Sequence, residues 1–178
     1  YFTENAYWGF NPDYLSGLYI FKLPIEEWLF FICIPYACVF THESILIMNP
    51  NLGVSDKATK LVSGVLVALI IVLIITQYNR AYTLVDSSFA LIALALAYFT
   101  NRKLLSQFFI TFLFMLIPFF IVNGVLTGSG IEDEVVWYND HENLGIRLFT
   151  IPIEDSAYAF SMLLFNLVAF KFFARNKA

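Results

Sequence analysis

Two pairs of adjacent carboxylates, Glu26-Glu27 and Glu154-Asp155, stand at the head of apolar stretches. Their surroundings repeat. Gly17-Leu-Tyr-Ile-Phe-Lys-Leu-Pro-Ile-Glu-Glu27 returns as Gly145-Ile-Arg-Leu-Phe-Thr-Ile-Pro-Ile-Glu-Asp155, at an offset of 128 residues without a gap. Gly17 matches Gly145, Phe21 matches Phe149, Pro24 matches Pro152 and Ile25 matches Ile153. Low dielectric disfavours the charged form of a carboxyl, and neighbouring acids push one another's proton affinities apart. One member of such a cluster can donate a proton as a general acid while another accepts one or stabilises a cation. Two clusters facing each other suit proton-in, proton-out chemistry on an apolar substrate that arrives laterally from lipid. Acids in a first helical turn also complement the helix dipole, at about 0.3–1 kcal/mol each. A cap alone requires neither the preceding glycine nor the matched Phe and aliphatic positions.

Other residues could join this chemistry. Asp86 is expected in the first turns of a helix, as a third acid or bonded to Ser87, Ser88 or a neighbouring helix. Asn123-Gly124 could close a helix or donate to a motif acid. Arg80 and Arg147 could hold an acid ionised or anchor headgroups. Trp28 and Tyr158 follow the two motifs, and aromatic faces stabilise cations. They could equally belong to an interfacial belt with Trp8, Trp137, Tyr82, Tyr138 and their neighbours. Asp140-His141-Glu142 has no specific metal-ligand spacing, so no metal is expected. No Gly-x-Gly-x-x-Gly pattern occurs, Gly128-Ser-Gly130 being an isolated turn signal, and no cofactor is expected. Nothing suggests nucleic-acid binding. Cys33 and Cys38 fall on different faces of one helix, and no bridge between them is expected.

The elements that must hold these groups are membrane helices. The 178 residues are 60% hydrophobic, 19% aromatic and 13% charged, with 20 Phe, which excludes an ordinary soluble domain. Five apolar segments, 24–41, 61–78, 82–100, 104–126 and 152–173, can each cross a bilayer core of roughly 30 Å. Helices and closed barrels are the only spanning options, and the runs are too long for strands. The expected fold class is all-α, a polytopic transmembrane helix bundle with a parallel internal repeat. Pro24 and Pro152 are expected at first helical positions, Pro35 and Pro118 inside helices, and His42 at the end of one.

Lys57, Lys60, Arg102, Lys103, Lys171, Arg175 and Lys177 fall on one side, which makes that side and the C-terminus cytoplasmic. Both acidic motifs then face outward, with Asp86 and Asn123 at the same depth. Three units are expected: a first half-repeat over 1–60, a linker helix over 61–80 and a second half-repeat over 81–178. The first copy lacks the helix that precedes the second, and the chain begins at Tyr1 without a methionine, so at least one upstream helix is expected.

Leu23-Pro-Ile-Glu-Glu27 followed by Trp28-Leu-Phe-Phe31, Asn143-Leu-Gly-Ile-Arg147 running into Ile151-Pro-Ile-Glu-Asp155, and Trp8-Gly-Phe-Asn-Pro12 resemble the membrane lycopene cyclases, the flavin-independent type made of fused or paired halves. The resemblance covers essentially the whole chain and implies seven helices in a full-length fused protein. It implies cyclisation of the linear end groups of lycopene into β-ionone rings without net redox change. Glu26, Glu27, Glu154 and Asp155 would be catalytic, with Asp86, Asn123, Arg147, Trp28 and Tyr158 around the substrate or developing cation. The implied partners are a carotenoid substrate and membrane lipid, with self-association or contact with other carotenoid enzymes, in a bacterial inner membrane.

Three other readings compete. A proton-coupled transporter also uses duplicated halves, but its sites lie at mid-depth on broken helices. A retinal-binding photoreceptor needs a lysine deep in its last helix, whereas Lys171 falls near an end. A non-catalytic subunit of a pigment complex would keep its pigment chemistry after Glu26→Gln or Glu154→Gln.

Overall fold

The computed structural model of the chain describes residues 2–175; expectations attached to Tyr1 and Lys177 lie outside the described residues. Five helices dominate: α1 (Ile25–Met48), α2 (Asp56–Thr76), α3 (Ala81–Thr100), α4 (Arg102–Leu126) and α5 (Glu154–Arg175). All five are long and apolar enough to cross a membrane. The expected all-α membrane bundle is the observed fold.

Several boundaries differ from those read from hydropathy. α1 continues past residue 41 to Met48, because its polar residues find partners within the bundle. His42 does not end the helix; it is fully buried, with Nδ1 2.8 Å from Thr111 Oγ1. Glu43 pairs with Lys171 of α5 at 2.7 Å. α2 starts at Asp56 rather than 61, since Ser55 caps it by accepting from Ala58 N at 3.2 Å and Asp56 pairs with Lys60. Asn123-Gly124 does not close α4. The helix runs three residues further and ends in a Schellman turn: Gly128, at φ +103°, donates to Val125 O, and Ser129 donates to Gly124 O. Gly128 is thus the stop signal of this helix.

Pro24 and Pro152 precede their helices rather than opening them. Each ends a two-residue strand. The short strands are β1 (Trp8–Phe10), β2 (Tyr19–Ile20), β3 (Leu23–Pro24), β4 (Val136–Tyr138), β5 (Arg147–Leu148) and β6 (Ile151–Pro152), paired antiparallel as β1·β4, β2·β3 and β5·β6. Runs of two or three residues carry no alternation, so hydropathy alone does not reveal them.

α3 and α5 form the most extensive helix pair. Ala90, Ala93 and Ala97 of α3 are buried and let the backbones approach closely, as small residues do between membrane helices. Leu94, Leu104, Leu105, Phe108, Met115, Leu163, Leu164 and Leu167 fill the core between α3, α4 and α5. α1 packs on α4 and α5, and α2 on α3 and α4. The first turns of α1, α3 and α5 and the last turns of α4 meet at one end of the bundle. β1, β4 and the two hairpins cover that end.

Candidate active site

The two motif copies fold the same way. Gly17 and Gly145 adopt φ +80° and +69°, a region that glycine enters without strain. Each opens a tight hairpin, β2–β3 or β5–β6, with Phe21 (φ +48°) or Phe149 (φ +59°) at the turn. Ile25 N donates to Leu18 O at 2.9 Å, and Ile153 N donates to Ile146 O at 3.0 Å. The first acid of each pair closes its own loop. Glu26 Oε1 accepts from Ser16 N at 2.8 Å, and Glu154 Oε1 accepts from Leu144 N at 2.6 Å. All these partners are related by the 128-residue offset.

The second acid of each pair points elsewhere. Glu27 and Asp155 both line one cavity of about 260 Å³ at the covered end of the bundle. Asp86 lines it too, together with Asn123 and Tyr158. Its walls are mostly apolar or aromatic, with Trp8 and Tyr138 brought in by the β1·β4 ribbon, where they are register partners. Gly9 is required in that ribbon, because a Cβ there would lie 2.5 Å from the Trp137 ring.

The three carboxyls differ in their partners. Asp155 is 1% exposed, and each of its oxygens accepts from a phenol: Tyr82 at 2.6 Å and Tyr138 at 2.9 Å. Tyr138 lies outside the spanning helices. Burial, then the neighbouring Asp155 charge, push its phenol well above the ordinary tyrosine range, so the hydroxyl stays a donor. Glu27 receives no side-chain hydrogen bond among the described residues. Asp86 is 6% exposed, and its buried Oδ2 has no partner among them. Among the described residues, no Lys or Arg lines the cavity.

Loop 127–151 holds the tyrosines and α3 in place. Glu142 O accepts from Tyr82 N and Thr83 N, and its Oε2 accepts from Ala81 N, which satisfies the orphan donors at the start of α3. Arg80 donates to Asn143 O. Thr83 Oγ1 then donates to Glu154 Oε1 at 2.7 Å, joining α3 to α5.

Of the residues singled out from sequence, Glu27, Asp155, Asp86, Asn123 and Tyr158 come together in the cavity. Glu26 and Glu154 do not line it; they sit one residue earlier and tie down the hairpins. Trp28 does not line it either, since its indole donates to Ile20 O at 3.0 Å on the outer side of the first hairpin. Arg147 touches no motif acid: it pairs with Asp140 at 2.6 Å, donates to Thr150 O and lies over the outer face of the Tyr138 ring. Sequence reasoning placed Tyr82 and Tyr138 in an aromatic belt and missed their hydroxyls. One signal was available for Tyr82, which precedes Asp86 by four residues and so shares its helix face.

No curated protein and no solved structure matches the chain. The family model described as lycopene cyclase matches residues 1–45 and 79–173. The unmatched stretch between these blocks contains α2, so the matched residues include every group that lines the acidic cavity. A match over most of the sequence, on a bundle able to span a membrane, places this protein: the chain belongs to the lycopene cyclase family.

Proposed function

We propose that this cyclase of carotenoid biosynthesis closes the linear end groups of lycopene into β-ionone rings by proton addition and proton removal within the acidic cavity. The observation that carries the reading is the convergence of Glu27 and Asp155, the equivalent acids of two repeated motifs, on one mostly apolar cavity. Three carboxyls in a cavity lined by no Lys or Arg among the described residues cannot all be charged there at reasonable cost, so the cluster retains a proton to donate.

Glu27, which has no side-chain hydrogen-bond partner among the described residues, is the donor. Its proton adds to the terminal double bond and leaves a tertiary cation. The π electrons of the neighbouring internal double bond attack that cation, a ring carbon–carbon bond forms, and the charge moves into the ring. Loss of a ring proton restores a double bond. The product is an isomer of the substrate, with no electron gained or lost. Asp155, held by two phenols, stabilises the cation and accepts that proton, and the carboxyls of the cavity, Asp86 among them, exchange protons with solvent before Glu27 donates again. The faces of Tyr82, Tyr138 and Tyr158 oppose the developing charge. Glu26 and Glu154 position their neighbours through the hairpins.

The charge distribution of the loops supports an outward-facing cavity and a cytoplasmic C-terminus. The same hairpin and acid geometry at 17–27 and 145–155 supports two half-repeats, 1–60 and 81–178, joined by a linker over 61–80. Because the carboxyls lie at one depth, one end of the polyene reacts at a time. Expression in bacteria that accumulate lycopene tests the proposal: monocyclic carotenoid should appear first and dicyclic product later. Unchanged lycopene would refute the activity, and dicyclic product without a monocyclic precursor would refute the one-ended site.

A further inference from the structure

The acidic cavity is too small for a whole polyene. Sites that enclose drug-sized ligands run from roughly 300 to 1,000 Å³, whereas this one measures about 260 Å³. A second cavity of about 250 Å³ lies beside it between α1, α4 and α5. Phe30 and Asn123 line both, so the two spaces are neighbours separated by these two side chains. The second space is almost wholly apolar. Its floor is Met115, Ala159, Met162 and Leu163, and it opens sideways between Ala37 on α1 and Pro118 and Val122 on α4. Among the described residues, no carboxyl or cation lines it. Pro118, inside α4, forms part of its α4 wall.

The geometry points to this groove as the binding site for the polyene chain of the substrate, with the reacting end group in the acidic cavity and the chain entering sideways from lipid between α1 and α4. The inference rests on the cyclase reading and adds where the unreactive part of the substrate lies. The occupant is a linear apolar chain for three reasons. The two cavities follow one another along α1, which covers about 21 Å from Glu27 in the first to Thr41 in the second at roughly 1.5 Å per residue. The groove's polar groups are few: the Thr41 hydroxyl already donates to Ala37 O, and Asn123 stands at the wall shared with the acidic cavity. It abuts, across Phe30 and Asn123, the cavity whose carboxyls act on an end group. A chain comparable to the bilayer core, roughly 30 Å, would fill both spaces and leave its second end outside them. Binding energy from the remote chain then holds the end group against the acids.

Filling the groove tests this. Ala37→Trp and Val122→Trp place an indole in it from opposite walls. Ile32→Trp, on a lipid-exposed position of α1 outside the groove, is the control. Lycopene retained per purified protein and cyclisation are measured for each, for Glu27→Gln and for wild type. The substrates are lycopene and a truncated analogue that carries the same end group on a polyene about half as long. Both groove variants should lose roughly ten-fold or more in retained lycopene and in its cyclisation, while the truncated analogue still reacts and Ile32→Trp behaves as wild type. Glu27→Gln should retain lycopene without cyclising it. Groove variants that bind and cyclise lycopene normally would overturn the groove and leave the cyclase reading standing, as would equal loss on both substrates in both variants. A wild-type protein that retains lycopene but never cyclises it would overturn the cyclase reading alone.

Discussion

The two motif copies share a backbone and differ in what surrounds it. In the first, the Glu26 side chain takes one backbone hydrogen bond and Glu27 takes none among the described residues. In the second, Glu154 is 5% exposed and accepts from Leu144 N and Thr83, and Asp155 is gripped by two tyrosines. The hairpin geometry is set locally, by the glycine, the turn and the first acid. The chemistry is set by neighbours that the repeat does not supply: Tyr82 and Thr83 of α3, and Tyr138 of β4. One structural device used twice thus presents two unlike carboxyls to one cavity. Under the proposed mechanism that inequality is what separates donor from acceptor.

The sharpest way to break this comparison is to remove the second acid of each copy. Asp155→Asn and Glu27→Gln should each slow cyclisation by about 10²–10⁴-fold, the range for a positioned acid or base. The matching changes Glu26→Gln and Glu154→Gln should leave most of the activity in folded protein. Carotenoid composition of lycopene-producing cells, normalised to protein in the membrane, reads all four. Equal loss in all four would erase the division between first and second acids.

Removing one phenol grip sharpens the comparison. Tyr82→Phe or Tyr138→Phe deletes one hydrogen bond to a charged group, worth about 1.5–3 kcal/mol, and should slow cyclisation by roughly ten- to a hundred-fold. The same variants should leave the first hairpin untouched. Tyr138 also carries a pH signature. Its phenol is raised in the folded protein, so above the unfolded tyrosine value of about 10 the unfolded chain loses protons that the folded one keeps. Stability from this group is therefore intact below about pH 10 and declines above it. Melting of the purified protein across that range should fall less steeply for Tyr138→Phe than for wild type.

A smaller difference separates the two hairpin ties. Glu154→Ala leaves Thr83 and Leu144 N without a buried acceptor and should cost about 1–3 kcal/mol. Glu26→Ala frees a partly exposed donor and should cost less, as thermal unfolding in detergent would show. The smallest effect is expected at the turns. Phe21 and Phe149 hold left-handed backbone while 91% and 94% exposed. Replacement of either by Gly should gain up to about 1 kcal/mol in both copies alike, since glycine carries no Cβ penalty there.

Hydropathy made the five helices legible, because a spanning helix must be a long apolar run. It misplaced the ends of α1 and α2, where His42 and Glu43 extend helix beyond the apolar stretch through partners distant in sequence, and Asp56 does so through Lys60 one turn on and Arg102. The repeat made the acids legible but not their division of labour. Glu26 and Glu27 are neighbours in sequence, and only helix geometry turns one back to its hairpin and the other into the cavity. The tyrosines escaped notice because an interfacial belt explains outer-side tyrosines such as Tyr82 and Tyr138 equally well without a hydroxyl doing anything. Arg147, the attractive counter-ion in sequence, is taken up by Asp140 seven residues away.

The central claim is that a carboxyl proton enters the substrate and a ring proton leaves. Cyclisation of lycopene by the purified protein in D2O, with the product analysed by mass spectrometry, tests it most directly. One solvent deuterium retained in each new ring, with the label and the ring lost together in Glu27→Gln, is the result the account predicts. Cyclic product formed in D2O without solvent deuterium would contradict it.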